Sequence, residues 1–323
     1  MRKILLASAA ILGVAAVAAT PAAAKGKFVQ IVPVSGSTST NVFGINDSDI
    51  ITGSWLDSSG VEHGYIGPVS GTSYTTFDDP NATTGTEPRA IDDASDVTGF
   101  GNSQGGSTTG DLPFERTSDG TLTEITKKGK PLNYLAQGIN SKGVFAASYA
   151  NATTGIDYGY LGRNAAYSAK IKLSIKNAGY AGRGIDTAGD VVGWYLDTTT
   201  GLQHGFLISG GSASTLDYKA TNESYTVLEG INDKGTISGQ WGDTSGVVHS
   251  FLYDMNTQTF KDVIVKGATT FTQVWGVNNN GLVAVGSNVG YYIYCPPKTR
   301  CVKAADSASL RNLPHQEYQK LPQ

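Results

Sequence analysis

Positive charge, sulfur and long apolar stretches are all scarce in this chain. Of 323 residues, 24 are Lys or Arg against 27 Asp or Glu, only 16% are charged, and Cys and Met number two each. Nucleic acids and anionic membrane surfaces require clustered positive charge, so the mild acidity excludes both as partners. With two Met, 41 Gly and many Thr, Ser and Tyr, the composition favours short strands joined by tight turns over helices. Beyond residue 24 no apolar run approaches the length needed to cross a bilayer, so no membrane span is expected.

The first 24 residues read as a secretory signal peptide. Arg2 and Lys3 form a basic start, Ile4 to Ala19 an apolar run, and Ala22-Ala23-Ala24 a small-residue cleavage site. Cleavage near Ala24 directs the chain to the periplasm or the medium, and no Cys lies near the cut to carry a lipid. Without Arg2 and Lys3 there are 22 basic against 27 acidic residues, a net charge of −5. The two cysteines, Cys295 and Cys301, flank "PPKTR". In an oxidising compartment they are expected to pair and pin a small loop, and the absence of CxxC spacing argues against a redox role.

What the chain does have is repetition. "GINDKGTISGQW" at 230 is matched by "GIDTAGDVVGWY" at 184 and "GINDSDIITGSW" at 44. Six copies start at Gly44, Ala90, Gly138, Gly184, Gly230 and Gly276, in steps of 46, 48, 46, 46 and 46 residues. The next column is β-branched throughout (Ile45, Ile91, Ile139, Ile185, Ile231, Val277). After it comes Asn or Asp (Asn46, Asp92, Asn140, Asp186, Asn232, Asn278), a side chain able to bond the backbone of a turn. Five positions after the start, four copies carry Gly, which supplies the positive φ of a bulged hairpin turn. Apolar and small residues occupy the columns seven and nine positions after the start. The reading is strand, Asx-initiated turn, strand, then a third strand such as "HGFL" from His204 and a weaker fourth such as "TFKDVI" from Thr259.

Four strands in about 46 residues is the length of a propeller blade. The sixth copy lacks its fourth strand, while "FVQIVPVSGSTSTNVFG" from Phe28 aligns without gaps to "FKDVIVKGATTFTQVWG" from Phe260. The expectation is an all-β, six-bladed β-propeller over residues 25–295, closed by an N-terminal strand that completes the last blade. Residues 296–323 are expected to form the Cys-pinned loop and a loose tail. An open solenoid would instead want capping units at its ends.

"GINDxGxxxG" followed by "GxxHGF" resembles the extracellular HAF repeat, the triplet appearing here as His63-Gly64-Tyr65, His204-Gly205-Phe206 and His249-Ser250-Phe251. Tyr158-Gly159-Tyr160 and Leu112-Pro113-Phe114 depart from it. The resemblance covers essentially the whole mature chain. It implies a secreted bacterial propeller-like protein and supplies no reaction or catalytic residues.

Chemistry is sought where the repeat is broken. The residue before each start varies freely: Phe43, Arg89, Gln137, Arg183, Glu229 and Trp275. Eleven after the start, Trp55, Tyr149, Tyr195 and Trp241 are expected to close the second strand toward the same mouth. Aromatic faces with charged donors and acceptors suit a glycan, a surface polymer or a protein. The alternatives are aromatic wedges between blades and an interblade ion-pair network of Arg89, Arg183 and Glu229. A glycoside hydrolase or lyase would need Glu229 to find a second acid, from Glu62, Glu87 or Asp157. No metal or cofactor is expected: the Asn/Asp turns read as one per blade pointing apart, and the three repeat His fall in different blades. "GFGNSQGG" from Gly99 has no helix behind it to cradle phosphate, and no G-x-S-x-G elbow occurs. Sequons at Asn81, Asn151 and Asn222 read as accidental in a bacterial chain. A monomeric binding or scaffold protein, with no catalysis assigned, is the expectation.

Overall fold

A computed structural model describes residues 26–71, 73–104, 110–127, 130–131, 134–150 and 156–302. The signal peptide expected over 1–24, Asn151 and the tail beyond 302 lie outside the described residues. Every regular element among the described residues is a β-strand.

Each copy of the repeat opens an antiparallel meander. In the fifth, Glu223–Ile231, Thr236–Asp243, Val248–Asp254 and Thr259–Val263 pair in sequence. The fourth (Tyr180–Ile185, Val191–Leu196, Gln203–Ser209, Ser212–Thr215) does the same and joins the fifth through one parallel bridge, Gln203 to Tyr225. The second runs Thr86–Ile91, Val97–Gly101, Leu112–Arg116, Leu122–Glu124. The third runs Tyr134–Ile139, Val144–Ala150, Asp157–Arg163, Ala166–Lys170. In the first, Ile50–Leu56 is flanked by the short pieces Ser39–Thr40 and Gly44–Ile45 on one side and by Glu62–Pro68 and Thr75–Phe77 on the other. The last contributes Thr272–Val277, Val283–Ser287 and Gly290–Cys295, and the fourth strand beside them is Lys27–Gln30. Phe28 sits opposite Tyr294, with ring centroids 4.9 Å apart.

Two close approaches explain the small-residue columns. Nine after the start, Gly53, Gly99, Gly193 and Gly239 face Tyr65, Phe114, Phe206 and Phe251 of the third strand. A Cβ at Gly193 would lie 2.0 Å from the Ala181 carbonyl and 3.0 Å from the Phe206 ring. The opposed rings are among the largest fully buried side chains, so each sheet is built around one aromatic seated on a glycine. At the start position, a Cβ on Gly184 would meet the Cα of Gly230 at 2.9 Å, one on Gly230 the Cα of Gly276 at 3.4 Å, and one on Gly276 the Cα of Gly44 at 3.3 Å. Innermost strands of successive repeats therefore touch backbone to backbone.

The turn column adds hydrogen bonds between repeats. Asn46, Asn140, Asn232 and Asn278 each accept backbone N–H bonds within their own turn. Through Nδ2 they then donate to the carbonyls of Asp92, Asp186, Asn278 and Asn46, at 3.0, 2.8, 2.7 and 2.9 Å. The expectation that these turns point apart is corrected here: because the innermost strands touch, neighbouring turns are in direct contact. Where the turn has no Gly five after the start, Asp49 and Ser95 take φ of 60° and 70°. Cys295 and Cys301 form a disulfide, and Cys295, Val302, Val29, Ile31 and Phe43 share one hydrophobic cluster. The pinned loop is thus packed against the first and last repeats.

Candidate functional site

The variable column is aimed by a backbone irregularity. Register slips between Pro88 and Ala90, Ala136 and Gly138, Gly182 and Gly184, Leu228 and Gly230, and Val274 and Val277. The residues skipped are Arg89, Gln137, Arg183 and Glu229, with Trp275 inside the last slip. A bulged residue is freed from strand alternation and its side chain is re-aimed. All five line one central cavity of about 70 Å³. Phe43, in the gap between the two short strands of the first repeat, is fully buried against Trp275, with centroids 5.3 Å apart.

The column largely satisfies itself. Arg89 donates to Glu87 at 2.7 Å and to Gln137 at 3.0 Å, and its guanidinium lies 4.3 Å from the Trp275 ring and 4.8 Å from the Phe43 ring. Arg183 and Glu229 form a looser ion pair at 3.8 Å, and Glu229 accepts from Gln240 at 2.9 Å. Burial pushes the Arg183 guanidinium pKa down, while the Glu229 carboxylate opposes that shift. Three polar atoms here are buried without a hydrogen-bond partner among the described residues: Arg183 Nε, Trp275 Nε1 and Gln240 Oε1.

Below this cavity the side chains of Ile45, Ile91, Ile139, Ile185, Ile231 and Val277 form an apolar collar shared with a second cavity of about 60 Å³. That one opens among the turns and is acidic, lined by Asp47, Asp92, Asp93, Asp186 and Asp233. Burial raises the pKa of Asp92 to about 6 and shifts Asp186 in the same direction. No group of three or more His, Cys, Asp or Glu suited to a metal ion occurs among the described residues.

The aromatic column goes elsewhere. Trp55, Tyr195 and Trp241 stack on His63, His204 and His249 across the second and third strands, with centroids 4.5, 5.4 and 4.2 Å apart. Tyr149 packs edge-on to Tyr160 at 6.3 Å. None of these four lines the central cavity, because the column lies on the second strand, one strand out from the axis. Each His is also tied to a carboxylate: His63 to Asp78 at 2.9 Å, His204 to Asp217 at 2.8 Å, His249 to Asp243 at 3.0 Å.

Glu229 meets Arg183 and Gln240, whereas Glu62 and Glu87 are the carboxylates brought together, at the junction of the first two repeats. Both are buried. Burial and the neighbouring Glu87 push Glu62 up to about 8, against hydrogen bonds that include one from Ser103. Burial and Glu87 thus favour the protonated form of Glu62, beside a Glu87 bonded to Arg89. Sequence spacing cannot reveal this pair, since the contact is made between strands of different repeats. Asp157 is half-buried, and burial raises its pKa while the Arg183 guanidinium, already engaged by Glu229, opposes the rise.

No family model matches this chain, and no curated protein sequence matches it. Among solved structures it is similar to TolB from Acinetobacter baumannii, at 15% identity and TM-score 0.51 over 78% of this chain. It is also similar to a putative TolB from Agrobacterium tumefaciens, at 13% identity and TM-score 0.51 over 80%. The chain spans 64% of the length of the first of these proteins and 90% of the second. At such identity the likeness is one of fold: an all-β propeller.

Proposed function

We propose that this chain is a secreted binding scaffold of the HAF-repeat kind, a monomeric six-bladed propeller whose last blade is completed by Lys27–Gln30. The antiparallel pairing of Lys27 with Cys295 and Gln30 with Tyr292 supports the closure. So do the hydrogen bonds from Asn278 to the Asn46 carbonyl and from the Gly276 amide to the Phe43 carbonyl. Export is supported by the Cys295–Cys301 bond, of a kind that persists in oxidising compartments. No helix among the described residues is long and apolar enough to cross a membrane.

The observation that carries the binding reading is the pair of unpartnered buried groups on residues lining the axial cavity, Arg183 Nε and Trp275 Nε1. Buried polar atoms without partners are costly, and a ligand that completes them recovers that cost. A cavity of about 70 Å³ is far below the ~300 Å³ at which small-molecule pockets begin. It therefore takes a terminal group of a glycan, surface polymer or protein side chain rather than a whole ring. Glycan-array and pull-down binding by the wild type is expected to weaken about tenfold in Arg183→Ala and Glu229→Ala. Binding that survives both changes sinks the assignment.

The Glu62–Glu87 pair favours a second reading, hydrolysis of a glycosidic bond with Glu62 as the acid and Glu87 as the base. Under it, Glu62→Gln abolishes polysaccharide cleavage while leaving the melting temperature in place.

A further inference from the structure

Three repeats place a His at the head of the third strand and an Asp on or just beyond the fourth. In the first, His63 Nδ1 meets Asp78 at 2.9 Å. In the fourth, His204 Nδ1 meets Asp217 at 2.8 Å, and the other oxygen of Asp217 accepts from the Gly205 amide at 3.0 Å.

In the fifth repeat the same residues are present at the spacing of the fourth, but the bond between them is absent. His249 bonds through Nε2 to Asp243 at 3.0 Å, and Asp262 is held at one oxygen by the Tyr218 hydroxyl at 2.7 Å. His249 Nδ1 and the second oxygen of Asp262 have no hydrogen-bond partner among the described residues. Where the bond is missing there is a cavity of about 300 Å³, larger than either axial cavity, and both residues line it. Its wall carries the stacked Tyr218, Trp241 and His249. Trp241 is 8% exposed and its Nε1 is buried with no partner. Val263 and Phe271 supply apolar surface, and Ile264, 56% exposed, stands on the rim.

We propose that this cavity between the fifth and sixth repeats is a binding site for one uncharged, hydroxyl-rich ring, the size and chemistry of a single pyranose. The volume is at the lower end of the ~300–1,000 Å³ range of ligand pockets, which suits one ring. Tyr218 and His249 both stack on the Trp241 indole, which fixes the ring in the wall. A hydroxyl both donates and accepts. One hydroxyl donates to the open oxygen of Asp262 and a second bonds His249 Nδ1. The carbon face packs on Val263 and Phe271. The carboxylates of Asp262 and Asp243 repel an anionic sugar. The proposal rests on the glycan-binding reading and adds to the axial site a second one, for a whole ring, at the side of the molecule.

The test is titration calorimetry of the full exported chain with methyl glucoside, methyl galactoside and methyl mannoside, beside glucuronate. Saturable binding of at least one neutral glycoside is expected, with glucuronate weaker than glucose. Asp262→Asn, and separately Ala268→Leu, which fills the cavity, should each weaken binding tenfold or more while the melting temperature stays within a few degrees. Asp78→Asn, at the equivalent place in the first repeat, should leave it unchanged. If a glycoside binds equally to wild type, Asp262→Asn and Ala268→Leu, this site is wrong and the broader reading survives. Failure of every neutral glycoside to bind overturns the site. Silence on a glycan array as well overturns the carbohydrate reading with it. Tight binding of indole in preference to the glycosides also overturns the site, making it an apolar anchor.

Discussion

Asn and Asp are close to interchangeable as turn formers but not as links between repeats. Both accept the backbone N–H bonds of the turn, yet only the amide can donate onward. Asp92 and Asp186 stand where Asn46, Asn140, Asn232 and Asn278 send Nδ2 to the next repeat's carbonyl. Burial raises Asp92 to about 6. A carboxyl whose folded pKa is raised contributes fully below its ordinary range near 4, and that contribution is lost as pH rises through about 6. Asp186 is shifted the same way. Thermal melts should therefore show this share of stability declining from about pH 4 to pH 7. Asp92→Asn should reduce that decline to the Asp186 part and add about 1 kcal/mol at neutral pH, one net hydrogen bond to the Asn140 carbonyl. No gain at pH 7 would show that the amide does not reach.

At the level of strands, the pairing of a glycine with an aromatic sets how tightly each sheet closes. Gly193 leaves no room: an added Cβ would fall 2.0 Å from the Ala181 carbonyl. Gly193→Ala should cost about 2 kcal/mol in urea unfolding, with the slope unchanged. The small column and the apolar columns were legible in the sequence because each obeys a strand period. Ala147 and Val285 at the same position mark sheets that accommodate a side chain. The bulge that sends Arg89, Gln137, Arg183 and Glu229 to the axis was not legible, since a slip of register is a relation between two strands. For the same reason the Trp55, Tyr149, Tyr195 and Trp241 column, grouped with the axial residues from its spacing, stands one strand away from them.

Across the whole molecule, the first and last repeats meet through one short strand, a disulfide-pinned loop and the turn hydrogen bonds. Lys27–Gln30 covers the edge of Gly290–Cys295, and an uncovered edge invites pairing with another chain. Deleting Lys27 to Val32 should lower the melting temperature and drive self-association in light scattering. A truncated protein that melts with the parent and stays monomeric would refute a closed ring. The exposed Arg300–Asp49 bridge, at 2.7 Å, adds little to the contact between the first and last repeats.

The amino-acid sequence alone determined the strands, their turns, the six-fold period and the pairing of Cys295 with Cys301. Each of these is enforced within one repeat or one short loop, by side-chain size, φ preference and alternation. Only the tertiary structure decided which side chains share a cavity. Glu62 meets Glu87, Arg89 meets Gln137, and Tyr218 bonds Asp262, all across boundaries between repeats. Contacts of that kind depend on how neighbouring sheets are set against each other, and a linear period carries no record of it.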